Sequence, residues 1–73
     1  MKVTVQGKVL EKYVRPSKDG SERMYVRLYQ EGERINLDVN VKAQTFAEVQ
    51  PGQTIELKDV IVSVFNNYLY ARQ

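Results

Sequence analysis

Residues 23–29 read Arg23-Met24-Tyr25-Val26-Arg27-Leu28-Tyr29. In a β-strand successive side chains point to opposite faces. Met24, Val26 and Leu28 then form one apolar face, and Arg23, Tyr25, Arg27 and Tyr29 form the other. The apolar face asks for a core to pack against. The other face is a ladder of cations interleaved with rings, and such rings stack on bases while guanidinium groups neutralise phosphates or stack themselves. The same composition also suits a solvated sheet face, since tyrosine favours strands and Arg–Tyr pairs stabilise a ladder.

Period-two alternation extends both ways from this stretch. Upstream, Val3, Val5 and Val9 alternate with Lys2, Thr4 and Lys8, and Gly7 stands where a glycine marks a bulge or sharp bend. Leu10, Tyr13 and Val14 continue that strand on a changed phase. Residues 16–21 are dense in turn formers and read as an exposed loop before the second strand, residues 22–30. Downstream, Glu31-Gly32-Glu33 turns the chain into a strand over 34–42, with Ile35, Leu37, Val39 and Val41 on one face; a short gap with glycine implies an antiparallel hairpin. Alternation lapses over 43–50 and resumes after Pro51-Gly52 at 54–57. Lys58-Asp59 bends or bulges this strand, which continues over 60–65. Asn66-Asn67 is a tight-turn dipeptide tolerant of left-handed conformations, and 68–72 forms the last strand.

Five strands, one long and glycine-bent, with at most one helical turn, describe a small closed all-β barrel, in which closure removes exposed strand edges. Phe46, Ala47 and Val49 are expected to plug one end of it from a single helical turn or loop. With 73 residues, no repeat and no low-complexity segment, the chain reads as one domain spanning 1–73. It has no cysteine, so neither a disulfide nor a thiolate metal site supports it. An apolar core of Val, Ile and Leu must suffice, or a partner chain; dimerisation is a common remedy for so small a core. The lack of cysteine fits a reducing cytoplasm, and no stretch resembles a membrane span or a signal sequence. A soluble, cytoplasmic protein is the expectation.

Histidine is absent as well, which removes the usual nucleophile–base pairs and zinc sites. Asp38, Glu56 and Asp59 read as solvated charges on strand faces or in turns. A binding protein with no cofactor and no metal is expected, and not an enzyme. The net charge of +2 hides an asymmetry. Up to residue 28 there are seven cations against three carboxylates, and from residue 29 onward four against six. A basic first half suggests one face directed at an anionic polymer.

With this strand order laid out, residues 13–72 resemble the OB-fold single-stranded DNA-binding proteins, those of filamentous phages in particular. The similar features are a basic loop (residues 15–21), a strand carrying Tyr25 and an alternating apolar strand (35–41). A Pro-Gly turn, the strand Thr54-Ile55-Glu56-Leu57 and a late hairpin (60–72) with an aromatic residue near its tip follow. The resemblance implies a five-stranded antiparallel OB-type barrel with a short helical turn or loop between strands 3 and 4. It also implies a homodimer that coats single-stranded DNA, without strong sequence preference, during replication of a phage or mobile element; for a phage-encoded chain the compartment is the host cytoplasm. Carried over by position, Arg15 and Lys18 contact phosphates from a mobile loop, Tyr25 stacks on a base with Arg27 beside it, Phe65 is a second stacking group, and Arg72 is a further phosphate contact. From the ladder itself, Arg23 and Tyr29 join this set. Tyr13 either joins them or caps the core. Of the two faces Tyr68/Tyr70 and Leu69/Ala71, one must be core, and the alternation does not choose. Two other readings stand beside this one: an RNA-binding barrel, and a protein–protein module of a replication or conjugation complex whose Arg and Tyr side chains are interface anchors.

Overall fold

The computed structural model describes residues 2–34 and 36–73. The chain forms β1 (Lys2–Pro16), β2 (Glu22–Tyr29), β3 (Leu37–Val41), α1 (Ala43–Glu48), β4 (Thr54–Phe65) and β5 (Tyr68–Arg72). The strands close into a barrel in the order β1-β2-β3-β5-β4. Neighbours are antiparallel except at the seam, where β3 and β5 run parallel through Val39↔Ala71 and Asn40↔Arg72.

Closure rests on β1, which pairs with β4 from Lys2↔Ile61 to Lys8↔Thr54 and with β2 from Lys8↔Tyr29 to Pro16↔Glu22. Lys8 belongs to both ladders, and the strand turns from one to the other beside Gly7. A Cβ at Gly7 would lie 2.7 Å from the Tyr29 carbonyl oxygen and 3.3 Å from Leu28 Cβ, so β2 approaches closer there than any side chain permits. The register then shifts between Val9 and Glu11, leaving Leu10 as the extra residue of a β-bulge. That extra residue reverses which side chains face inward: Val9 is buried, whereas Glu11 and Tyr13 pair with the outward Arg27 and Tyr25. A second irregularity lies between Val3 and Val5, opposite Lys58-Asp59, where Asp59 takes a left-handed φ of 58°.

The core follows the alternation. Val5, Val9, Val26, Leu28, Val39, Val41, Leu57, Val60 and Ala71 point inward from the strands, and Val49 closes over them after α1. Val26 and Leu28, the apolar face of the opening stretch, are fully buried. Phe46 packs against this cluster from α1, as expected of a plug. Ala47 does not, because the six-residue helix turns it to the outside. Lys12, opposite buried Val26, faces the same end of the barrel; its ammonium donates to the Phe46 carbonyl at 2.8 Å and lies 4.8 Å from the Phe46 ring centroid.

The third strand begins at Leu37, three residues later than the alternation predicts. Leu28 pairs with Leu37, so the intervening residues are spent on the connection: a turn at Glu31-Gly32, with Gly32 at φ 85°, and a bend at Arg34. Ile35 lies outside the described residues. At the far end Asn66 and Asn67 both adopt left-handed φ, 51° and 65°, as a two-residue hairpin turn requires. In β5 it is Ala71 that faces the core; this small residue sits at the seam, and Tyr68 and Tyr70 take the outer face. Among the described residues no helix is long and apolar enough to cross a membrane.

The Gly7 contact is with backbone, which cannot swing aside. Gly7→Ala should therefore destabilise the fold by about 1–3 kcal/mol, the usual cost of overpacking, read as a lower urea midpoint with an unchanged slope. A neutral result would mean that β1 does not depend on this close approach to make its bend.

Candidate functional site

The ladders place one outward-facing row across the barrel. Tyr13 pairs with Tyr25, Tyr25 with Asn40, Asn40 with Arg72 and Arg72 with Ile61. Directly paired residues share a face, so two rings, an amide, a guanidinium and an aliphatic side chain succeed one another at the strand spacing of about 4.8 Å. The row floors a groove of about 470 Å³, flanked by Arg15 and Arg23 on the β1–β2 side and by Ser63, Tyr68 and Tyr70 of the β4–β5 hairpin.

The Leu10 bulge brings Tyr13 to this face. The Tyr13 and Tyr25 rings stack with centroids 5.3 Å apart and planes 11° from parallel. The Arg15 guanidinium lies 5.3 Å from the Tyr13 centroid and 6.0 Å from that of Tyr25, and Arg27 lies 5.4 Å from Tyr13, within cation–π range.

Arg27 is fully engaged. Its Nε donates to Asp38 Oδ1 at 2.9 Å, its Nη2 to Asp38 Oδ2 at 3.3 Å and its Nη1 to Glu11 Oε1 at 2.7 Å. The Tyr13 hydroxyl donates to Asp38 Oδ2 at 2.7 Å. Burial pushes the Asp38 carboxyl up, but the hydrogen bonds from Arg27 and Tyr13 outweigh it and hold the group below its usual range. Burial and the bond to Asp38 raise the Tyr13 phenol, and the bond to Asp38 raises the Arg27 guanidinium further. Asp38 is thus ionised, Arg27 charged and Tyr13 a proton donor, each fixed by the others. Where the sequence places Arg27 beside a base on the nucleic-acid face and reads Asp38 as a solvated charge, the structure has a strut that ties β1, β2 and β3 together and holds the Tyr13 ring in place.

Other cations of the groove have no carboxylate partner among the described residues. Arg15 and Arg23 are direct cross-strand partners, and neither has a carboxylate within ion-pair distance among the described residues. Like charges directly opposite each other destabilise a ladder, and an anion between them would relieve this. Lys18 projects from the adjoining turn, which is closed by Ser17 N–H donating to the Ser21 carbonyl at 2.7 Å and Gly20 N–H to the Ser17 carbonyl at 3.1 Å. Hydrogen bonds from the Ser21 hydroxyl and amide hold the Asp19 carboxyl down at about 2. Arg15, Lys18 and Arg23 thus gather with Tyr25 at one end of the groove, and Arg72 lies in its floor.

The remaining site residues expected from sequence lie apart. Tyr29 shares the outer face of β2 but sits about 13 Å along the strand from Tyr25, beside Lys8 and Thr54 and beyond the Arg27 strut. Phe65 lies at the hairpin tip opposite Tyr68 and does not line the groove, whereas Tyr68 and Tyr70 do. Asn40, Asp38, Tyr68 and Tyr70 are the additions that the structure makes, and it resolves Tyr13 to the outer face.

No protein-family model matches the chain, and no curated protein does. Among solved structures, the chain is similar to an OB domain from Thermoplasma acidophilum determined in solution by NMR, with 19% sequence identity and a TM-score of 0.62. The match covers 97% of this chain and 65% of that one, so the chain spans just under two thirds of its neighbour's length. This likeness shows the fold: a small OB-type barrel.

The Asp38 network has a signature in acid. Because its pKa is lower in the folded than in the unfolded chain, its contribution is complete above about pH 5 and is lost as pH falls through the folded value. Asp38→Asn should be less stable than the parent at neutral pH, and the two stability curves should converge on acidification. Parallel curves from denaturation at a series of pH values would remove Asp38 from the acid response.

Proposed function

We propose that the chain binds single-stranded DNA across the outer face of β1, β2, β3 and β5, with little regard to base order. The observation that carries this reading is the row Tyr13–Tyr25–Asn40–Arg72 running beside an Arg15/Arg23 pair that lacks any carboxylate among the described residues. A base stacks on Tyr25, whose ring is backed by Tyr13 and so loses little freedom on binding. Phosphates follow Arg15, Lys18, Arg23 and Arg72, and Tyr68 and Tyr70 offer further rings along the same groove. Strands 2 and 3 with the loops after strands 1 and 4 are the surface that OB barrels use for oligonucleotides. Here those loops are the Lys18 turn and Asn66-Asn67. Arg27 contributes by fixing Tyr13 rather than by meeting phosphate.

Binding is the whole activity in this reading, with no catalytic step, metal or cofactor. Its setting is replication of a phage or mobile element, in the cytoplasm where that takes place. The chain works as a homodimer. Residues 60–71 carry no charge, and Val64, Phe65 and Tyr68 of the hairpin are each about two thirds exposed, at 69%, 66% and 68%. An uncharged apolar hairpin also suits a different protein partner, which is the second reading.

Anisotropy titrations with poly-dT, poly-rU and duplex DNA at several salt concentrations test the proposal. With four groove cations that have no carboxylate partner among the described residues, and about 0.7 per phosphate neutralised, log K for poly-dT should fall by about 3 for each tenfold rise in salt. Tyr25→Ala should weaken binding about tenfold or more while leaving the protein folded. Equal affinity for poly-rU would extend the ligand to RNA; failure to bind any of the three would favour the protein-partner reading. Sedimentation should show a concentration-dependent dimer, and a folded monomer persisting at micromolar concentration would remove the dimer from the account.

A further inference from the structure

Asn40 stands in the middle of the groove floor, between the Tyr25 ring on β2 and the Arg72 guanidinium on β5. Its side chain lines the groove and makes no hydrogen bond with another described residue. Its backbone, by contrast, is pinned. The Asn40 carbonyl accepts the Gln73 N–H at 2.7 Å, and Gln73 Oε1 accepts the Lys42 N–H at 3.0 Å. The strand beneath the side chain is therefore fixed, while the carboxamide itself is left unused and free to turn. A base lying on Tyr25 meets two neighbours within one strand spacing. On the β1 side is Tyr13, whose hydroxyl is already given to Asp38. On the β3 side is Asn40, with both halves of its carboxamide open.

We infer that Asn40 reads the Watson–Crick edge of an unpaired base stacked on Tyr25, and that it makes the groove selective for single strands while indifferent to the base it holds. The inference rests on the single-strand reading above and adds the group that recognises strandedness. A carboxamide sets a donor beside an acceptor. Every base carries the complementary pair on that edge: an amino group beside a ring nitrogen in adenine and cytosine, and an imino N–H beside a carbonyl in guanine, thymine and uracil. Turning the amide over exchanges its donor and acceptor, so one side chain fits all of them. In a duplex the same edge is occupied by the opposite base. Single-stranded recognition through base edges and stacking follows this pattern generally.

The test removes the symmetry of the amide. Asn40→Asp presents acceptors only. Guanine offers two adjacent donors to such a group, whereas thymine offers one donor between two carbonyls. The wild type should bind a dT oligomer and a mixed dT/dG oligomer of equal length alike, while Asn40→Asp should favour the dG-containing one by about tenfold, the discrimination expected of one bidentate contact. A ligand-side test does not depend on how the variant folds. Replacing thymine by N3-methylthymine removes the edge donor and keeps the stacking face; it should weaken wild-type binding about tenfold and make little difference to Asn40→Ala. Wild-type protein that binds the methylated oligomer as well as the plain one, or an Asp variant that keeps the wild-type base ranking, overturns the assignment to Asn40. A wild type that binds no single strand at all fails at the earlier step, and takes down the parent reading instead.

Discussion

The approach of β1 to the Tyr29 carbonyl at Gly7 is the contact on which the barrel depends. In this five-stranded barrel β1 leaves β4 as its neighbour and joins β2, and it does so at a point where a side chain would collide with backbone. Strands are commonly about five or six residues long; β1 has fifteen because it performs the work of two. The Leu10 bulge belongs to the same manoeuvre. It comes just past the corner, and its side effect is to turn Tyr13 out of the core and onto Tyr25. The aromatic part of the groove is thus a by-product of how the barrel bends.

Two kinds of electrostatics meet on that outer face. Around Tyr13 every charge is answered, Arg27 by Asp38 and Glu11, and the phenol by Asp38, which gives rigidity. At the end of the β1–β2 ladder no carboxylate among the described residues pairs with Arg15 or Arg23, although they face each other directly. The first arrangement spends charge on geometry. The second keeps charge available at some cost to the folded chain, a cost recovered only when an anion sits between the two guanidinium groups.

The sequence makes the barrel legible because the alternation of Met24, Val26 and Leu28 is undisturbed, and because Gly7, Gly32 and Asn66-Asn67 mark bends by backbone chemistry that few other residues share. What it hides depends on single-residue phase or on distant partners. One extra residue in β1 decides whether Tyr13 is core or surface; the changed phase of Leu10, Tyr13 and Val14 signals an irregularity there, but not which residue is the extra one. Arg27 looks like a free cation because the carboxylates that occupy it are sixteen residues upstream and eleven downstream. In β5 both faces are apolar enough to be core, and only contact with β3 at the seam selects small Ala71. Asn40 is one polar residue among several in an alternating strand; its place between a ring and a guanidinium exists only once β5 has arrived beside β3.

That arrival is slender. The seam consists of Val39↔Ala71 and Asn40↔Arg72, extended by Gln73 bonding back to Asn40 and Lys42. Parallel pairing across two positions is the thinnest joint of the cylinder, and local opening concentrates where backbone pairing is sparse. Two of its four paired residues, Asn40 and Arg72, also face the groove. A ligand lying across both acts as a clasp on the cylinder, so that loosening the joint and releasing the ligand become one equilibrium seen from two sides.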